Sequence, residues 1–301
     1  GSATGLAYLW GLDKIGMKQA WGLLPQWGTP PGSLPIVAVV DSGIDYTQPE
    51  LAGQMWAPYG VNIIYERSTA VNKLNDCSDV QRKDPLDMDG HGTEVAGTIA
   101  AKGNNYQTSD FRTYTVGVTQ YARLMAVKIT CRHGNDNFEL PYLTDAIAGI
   151  EYAVRMKASV IIGPWGFTVP LPNSLVDDLR TVIKNGESTA LYVASSGNGD
   201  MDIDAGSVPL WPQRLGLQNL IVVAATDPSD MRWVNKPGFL GSNYGASSVD
   251  IGAPGADGTT YSVQAGGVSP TTTATTAAAY GGTSAAAPHV AGCAALLQTI
   301  R

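Results

Sequence analysis

Short, continuous apolar runs alternate along this chain with longer stretches whose apolar residues recur every three or four positions. Residues 36–40, Ile-Val-Ala-Val-Val, form one such run and stop at Asp41-Ser42-Gly43. Similar runs predict strands over 124–129, 158–162, 190–194 and 220–224, while helical spacing predicts helices over 93–101, 143–156, 176–184 and from about Ser284 to Ile300. Strands separated by helices of about 10–15 residues predict an α/β fold with a parallel central sheet and helices on both faces. In such sheets the active site gathers at the carboxyl ends of the strands. Asp41 follows one predicted strand directly, and Asn198 follows another closely. No internal repeat is visible. The Thr-, Ala- and Gly-rich stretch 259–279 reads as a solvated loop or irregular hairpin with no catalytic role.

Composition narrows the class. With 301 residues the chain can bury a sizeable core in one large domain or two small ones. Apolar residues at 44% against 15% charged, with 35 Gly and 18 Pro, describe a compact protein with many tight turns, not a disordered or coiled-coil chain. The net charge of −7 argues against nucleic acid or anionic lipid as partners. It is compatible with cation binding, although mild acidity is ordinarily a solvated surface. No apolar run approaches the roughly 18–20 residues of a membrane span, and no signal peptide is visible. Three cysteines leave at least one unpaired. Cys293 lies in an apolar run and reads as a small buried helix residue. Cys77 and Cys131 lie in polar, turn-rich stretches. They are either two free thiols or a Cys77–Cys131 disulfide, which would imply an oxidising compartment.

Three histidines limit the proton chemistry available. His133 lies in a Gly/Asn/Asp loop with no helix or strand to hold it. His289 is five residues beyond Ser284 on the same predicted helix, about 140° round the axis, so it cannot reach that hydroxyl and reads as structural. His91, in Asp-Gly-His-Gly-Thr, sits at a helix start between two glycines that permit close approach. Ser284, in Gly-Gly-Thr-Ser-Ala-Ala-Ala-Pro-His, sits where a glycine-rich turn enters a small-residue helix, beside backbone N–H groups that suit an oxyanion. Taken singly, His91 reads equally as a helix-cap histidine, and Ser284 and Asp41 as N-cap or turn residues.

Jointly they carry a resemblance. Asp-Ser-Gly-Ile-Asp at 41–45, His-Gly-Thr-Glu-Val-Ala-Gly at 91–97 and Gly-Thr-Ser-Ala-Ala-Ala-Pro-His-Val-Ala-Gly at 282–292 resemble the three active-site motifs of the subtilases, in that family's order of Asp, His, Ser. Weaker likenesses cover nearly the whole chain: 9–21, 117–128, 219–227, Ser242-Asn243-Tyr244-Gly245 and Asp250-Ile251-Gly252-Ala253-Pro254-Gly255. The resemblance implies a subtilisin-like fold and one peptidase catalytic domain over 1–301 in its mature form. It further implies a serine endopeptidase with Ser284 as nucleophile, His91 as general base and Asp41 orienting the base. Ala194-Ser195-Ser196-Gly197-Asn198 is similar to the segment whose Asn donates to the oxyanion hole, which assigns that role to Asn198 and substrate contact to Ser195, Ser196 and Gly197.

Departures from the pattern modify these expectations. Pro164, in Ile-Ile-Gly-Pro-Trp-Gly, stands where the family usually has Ser on the substrate-pairing strand. Proline loses an N–H but keeps its carbonyl, so Pro164, Trp165 and Gly166 are expected to bind substrate with altered specificity. Glu94 stands where the family often has another His, and Ala285 stands where Met is common. Trp211-Pro212 resembles a cis-proline segment near the specificity pocket. Asp89 falls at a position facing the substrate's second residue, among Asp76, Asp79, Asp84 and Asp87; it predicts either a Lys or Arg preference there or a solvated acidic loop.

Glu50 and Asn104 fall where the family's strong calcium site takes side-chain ligands, but the stretch 106–115 is longer than the family's usual loop there, so the resemblance implies either structural Ca²⁺ or an ordinary surface loop, and no cofactor for catalysis. Its remaining expectations are protein or peptide substrates, an inhibitory propeptide during maturation, a monomer, and a secreted or extracytoplasmic location. Two other readings stay open: a subtilase-fold peptide ligase or macrocyclase, and an inactive peptide-binding relative. A lipase or esterase of the α/β-hydrolase class orders its triad Ser, Asp, His and is excluded by the reverse order here.

Overall fold

A computed structural model of the chain describes residues 9–24, 33–65, 83–103, 115–130, 132–133, 137–138, 141–205, 209–236, 240–256, 260–263 and 277–300. The expectations for Cys77, Cys131 and Asn104 lie outside the described residues. The five predicted strands form as Ile36–Asp41, Arg123–Lys128, Val160–Gly163, Leu191–Ser195 and Leu220–Thr226. Two further strands, Met55–Asn62 and Ile251–Pro254, complete a seven-stranded sheet. Its order, named by first residue, is 251, 220, 191, 160, 36, 123, 55, and every neighbouring pair is parallel.

Successive side chains of a strand point to opposite faces, and the two cores follow from that alternation. Val37 and Val39 pack on one face with Val95 and Ile99 of the helix His91–Ala100 and with Ala287 and Ala291 of the helix Thr283–Gln298. Ala38 and Val40 pack on the other face with Ile150 of Leu143–Arg155 and with Leu179 and Ile183 of Asn173–Asn185. The Thr283–Gln298 helix is apolar nearly all round because it is buried nearly all round. A third, smaller core joins the two ends of the chain. Leu9, Leu12 and Met17, around the short helices Trp10–Lys14 and Met17–Leu23, pack on Val118 and Leu296.

Where the structure departs from the sequence expectations, the reasons are local. Met55–Asn62 is an edge strand interrupted by a cis Ala57–Pro58 bond, by Tyr59 at φ +81° and by Gly60, and its register slips between Met55 and Gly60. Proline within a strand pattern argues against a strand except at a sheet edge. His133 is not in an unframed loop: Arg132–His133 pairs antiparallel with Asn137–Phe138. Within the 259–279 stretch, Thr260–Val263 pairs antiparallel with Ala277–Tyr280, which makes the hairpin. No helix among the described residues is long and apolar enough to cross a membrane.

Candidate active site

Asp41 ends its strand at the carboxyl edge of the sheet and is only 1% exposed. Its Oδ1 accepts the N–H of Ser42 at 2.7 Å. Both its oxygens face Nδ1 of His91, at 2.8 and 2.9 Å. A carboxylate can only accept, so Nδ1 carries the proton and Nε2 is left with its lone pair whenever the ring is neutral. Lys128 ends the neighbouring strand in register with Asp41. Its buried ammonium donates to the Ser42 carbonyl at 2.5 Å. A buried cation must be hydrogen-bonded or paired to be tolerated, and here it fixes the peptide unit just beyond Asp41.

His91 opens the helix that Gly90 caps, and two glycines are needed to bring it there. Gly90 has φ +117°, and a methyl group on Gly92 would lie 2.2 Å from the Gly43 carbonyl oxygen. Gly92 N–H instead donates to Ser42 Oγ at 2.9 Å, which ties the helix start to the residue after Asp41. Asp87 holds the same helix end from the loop before it. Its Oδ1 accepts the N–H groups of Asp89 and Gly90, and its Oδ2 accepts the N–H and hydroxyl of Thr93. Asp87 is therefore buried and fully engaged, not part of a solvated acidic loop. Asp89 is half-buried and accepts the His91 N–H at 3.2 Å; burial, then the Asp87 charge, raises its carboxyl above the usual range.

Opposed effects act on the His91 imidazole, whose side chain is 24% exposed. Burial alone would lower its pKa. The charge and hydrogen bond of Asp41, aided by Glu94 and Asp89, outweigh burial and raise it to about 9. Glu94, three residues along the same helix, is pushed up to about 7 by burial, against the lowering effect of His91 and with Asp87, Asp89 and Asp41 adding to the rise.

Ser284 is the second residue of the Thr283–Gln298 helix, at the positive end of its dipole. Its hydroxyl donates to the Pro164 carbonyl at 3.2 Å. Pro288 has no N–H, so the Ser284 carbonyl has no donor four residues on. His289 is buried on the far side of the site, Nδ1–H donating to the Ala285 carbonyl at 2.9 Å, and burial holds its pKa down at about 4.

Asn198 follows the strand Leu191–Ser195. Its Oδ1 accepts the N–H and hydroxyl of Thr283, the residue before Ser284, at 2.9 and 2.8 Å, which leaves Nδ2 as the donor of this side chain. The loop carrying Asn198 is in turn clamped by buried Asn243. The Asn243 Oδ1 accepts Gly199 and Met201 N–H, and its Nδ2 donates to the Ser196 carbonyl.

The remaining candidates surround this centre. Trp165 is buried with its indole N–H on the Val40 carbonyl, so its ring points into the sheet. Ser195 and Ser196 are buried as well, the Ser196 hydroxyl donating to the Asn243 carbonyl. Gly197 N–H donates to Thr283 Oγ1, next to Ser284. Glu50 lies away from this centre, 2% exposed, with Oε2 accepting the Gly103 N–H at 2.8 Å. The bond Trp211–Pro212 is cis. Sequence reasoning missed Lys128, Asp87 and Asn243 as positioning groups. Lys128 left a local signal, a charge within the otherwise apolar run 124–129, and Asn243 stands in one of the segments that resemble the family, although neither signal gave its role.

The profile of the Subtilase family (peptidase S8) matches residues 32–301. Thermitase from Thermoactinomyces vulgaris is 32% identical over 290 residues, covering 96% of this chain and 82% of thermitase. A thermophilic serine proteinase from Bacillus sp. strain AK1 is 32% identical over 87% of this chain and 52% of its own length. For subtilisin E from Bacillus subtilis strain 168 the figures are 30%, 88% and 56%; the chain thus spans about half the length of two of these three relatives. Among solved structures, the epidermin leader peptide processing serine protease of Staphylococcus aureus superposes with TM-score 0.70 at 20% identity over 98% of this chain and 72% of that one. A lanthipeptide protease gives TM-score 0.70 at 20% identity over 99% of this chain and 82% of that one. These two likenesses speak for the fold, and the profile match together with the thermitase identity decides the family: the chain belongs to the subtilases.

Proposed function

We propose that the protein is a serine endopeptidase that cuts protein or peptide substrates through an acyl-enzyme. The observation that carries the reading is the buried Asp41 carboxylate on Nδ1 of His91, and Ser284 at the N-terminus of its helix is the serine assigned to it. In this mechanism Nε2 of His91 takes the Ser284 proton as Oγ attacks the peptide carbonyl. Asn198 Nδ2 and the Ser284 N–H hold the oxyanion. The imidazolium then gives its proton to the departing amine as the C–N bond breaks, and water resolves the ester by the same base. Loss of the corresponding amide donor in subtilisin costs about 10²–10³ in rate.

Pro164, Trp165 and Gly166 on one side and Ser195, Ser196 and Gly197 on the other flank the serine. With the side chains of Trp165, Ser195 and Ser196 turned inward, substrate pairing falls to backbone groups, including the Pro164 carbonyl that now accepts the Ser284 hydroxyl. Asp89 faces the next subsite, where its carboxylate favours Lys or Arg. No cofactor is assigned to the chemistry. Structural calcium is assigned to Glu50 and Asn104: Glu50 offers the hard oxygen that Ca²⁺ takes, and its Oε2 accepts the N–H of Gly103, the residue before Asn104 in the sequence. Family membership also supports a secreted or extracytoplasmic, monomeric, single-domain enzyme matured from an inhibitory propeptide; such a compartment permits the Cys77–Cys131 disulfide read from the two cysteines' polar, turn-rich settings.

The test is to incubate the protein and Ser284→Ala with a denatured protein, with and without a calcium chelator, and to map the cuts by mass spectrometry. The parent alone is expected to cut, with basic residues enriched two places before the cut and with lower thermal stability under chelation. Equal cutting by Ser284→Ala, or no cutting together with no fluorophosphonate label on Ser284, would refute the reading.

A further inference from the structure

Two side chains that the catalytic scheme leaves unused fill the space between the segments flanking Ser284. Both segments abut that residue's helix start: the Pro164 carbonyl accepts the Ser284 hydroxyl, and Gly197 N–H donates to Thr283 Oγ1. Gly166 and Gly197 contribute no side chains of their own to the gap. Leu210 reaches between them. A methyl group on Gly166 would lie 3.1 Å from Leu210 Cδ1, and one on Gly197 would lie 3.8 Å from Leu210 Cδ2.

Gln213 crosses the same gap one turn later. Its Nε2 donates to the Trp165 carbonyl at 3.0 Å and to the Ser195 carbonyl at 2.6 Å, one proton to each segment. The carboxamide lies against Gly166, whose added methyl would be 2.9 Å from Nε2 and 3.1 Å from Oε1. Leu210 and Gln213 are each 2% exposed, and Gln213 Oε1 is buried with no hydrogen-bond partner. With both amide protons spent on carbonyls that only accept, the side chain cannot flip, so Oε1 stays an unsatisfied acceptor at the base of the cleft.

We infer that Leu210 and Gln213 close the pocket for the residue on the acyl side of the cut, and that they restrict it to small side chains, with Ser, Ala and Gly ahead of Leu and Phe. The closure is steric: a branched or aromatic group would have to displace two buried side chains, one of which cross-links the two flanking segments. The free Oε1 adds a preference for a small residue that brings a donor, because an acceptor left unpaired in a buried site is costly until something donates to it. Displacing the closure is also costly for the protein, since freeing Gln213 orphans the Trp165 and Ser195 carbonyls.

The inference rests on the serine-peptidase reading, and the test separates the two. Active sites are first counted by fluorophosphonate labelling of Ser284. Then kcat/KM is measured on peptide p-nitroanilides that differ only in Ala, Ser, Leu or Phe before the scissile bond. The parent is expected to favour Ala and Ser over Phe by at least about tenfold. Leu210→Ala/Gln213→Ala is expected to reverse or erase that ratio per labelled site. Leu210→Ala alone, which keeps the Gln213 cross-link, is expected to move the ratio the same way by less. A parent that prefers Phe or Leu overturns the inference without recourse to any variant. So does an unchanged ratio in a variant that labels normally. If the double variant fails to fold, the parent ratio and Leu210→Ala still decide. Absence of labelling in the parent removes the peptidase reading, and the inference falls with it.

Discussion

At the scale of single residues, the sign of the His91 shift has a direct kinetic consequence. A general base must be neutral to accept the Ser284 proton, and Asp41, Glu94 and Asp89 together raise His91 to about 9. Below that value the imidazolium predominates, so kcat/KM should fall about tenfold per pH unit on the acid side, from a limb near 9 and not near the ordinary histidine value. Glu94→Gln removes one of the charges that favour imidazolium and should move the limb to lower pH without touching the hydrogen bond to Asp41. Ester hydrolysis followed from about pH 6 to about pH 10 measures both, and a parent limb at the ordinary histidine position would mean that burial offsets the neighbouring carboxylates. The same shift has a stability sign. A raised folded-state pKa stabilises the fold below the unfolded value of 6.5 and loses that contribution as pH rises through about 9. Activity and this part of stability therefore run in opposite directions across the same window.

At the scale of elements, the His91–Ala100 helix begins without a capping side chain at Gly90 and borrows one from Asp87, three residues upstream. Asp87→Ala leaves the N–H groups of Asp89, Gly90 and Thr93 and the Thr93 hydroxyl without that acceptor, and should cost about 2–4 kcal/mol. Asp87→Asn keeps one oxygen acceptor and should cost less; urea unfolding of the two variants gives the comparison. An equal cost for both would mean the charge, not the cap, matters. Asp87 also marks how far the sequence could be read. The five predicted strands and four main helices were legible because their periods are local, and Asp41, His91, Ser284 and Asn198 because they stand in motifs at strand and helix ends. The strand Met55–Asn62 was hidden by Pro58 and Gly60, which are tolerated only because it lies at the sheet edge. Ile251–Pro254, with a glycine and a proline among its four residues, shows no run at all. Asp87, Lys128 and Asn243 were illegible in another sense. Their partners Thr93, Ser42 and Gly199 are fixed by loop geometry or by contacts 86 and 44 residues apart, which no local pattern encodes.

At the scale of the molecule, the first described residues and the last helix share one small core, and the two contacts there should separate stability from rate. Leu12 is buried among Leu9, Met17, Val118 and Leu296. Its loss deletes packing distant from the chemistry, so Leu12→Ala should lower stability by about 2–5 kcal/mol in urea while leaving kcat per labelled Ser284 unchanged. Gly11 sits one position away, but it faces a different neighbour. A methyl group there would lie 2.9 Å from His289 Nε2 and 2.9 Å from Pro254 Cβ. His289 is hydrogen-bonded through Nδ1 to the carbonyl of Ala285, the residue after Ser284. A tightly packed interior passes such a clash on because it cannot compress. Gly11→Val should therefore displace the imidazole and the helix start it holds, lowering kcat per labelled site as well as stability. Retention of full kcat by Gly11→Val would mean that the N-terminal helices brace the fold only. A matched loss of kcat in Leu12→Ala would mean that the whole small core, and not the Gly11–His289 contact, governs where Ser284 sits.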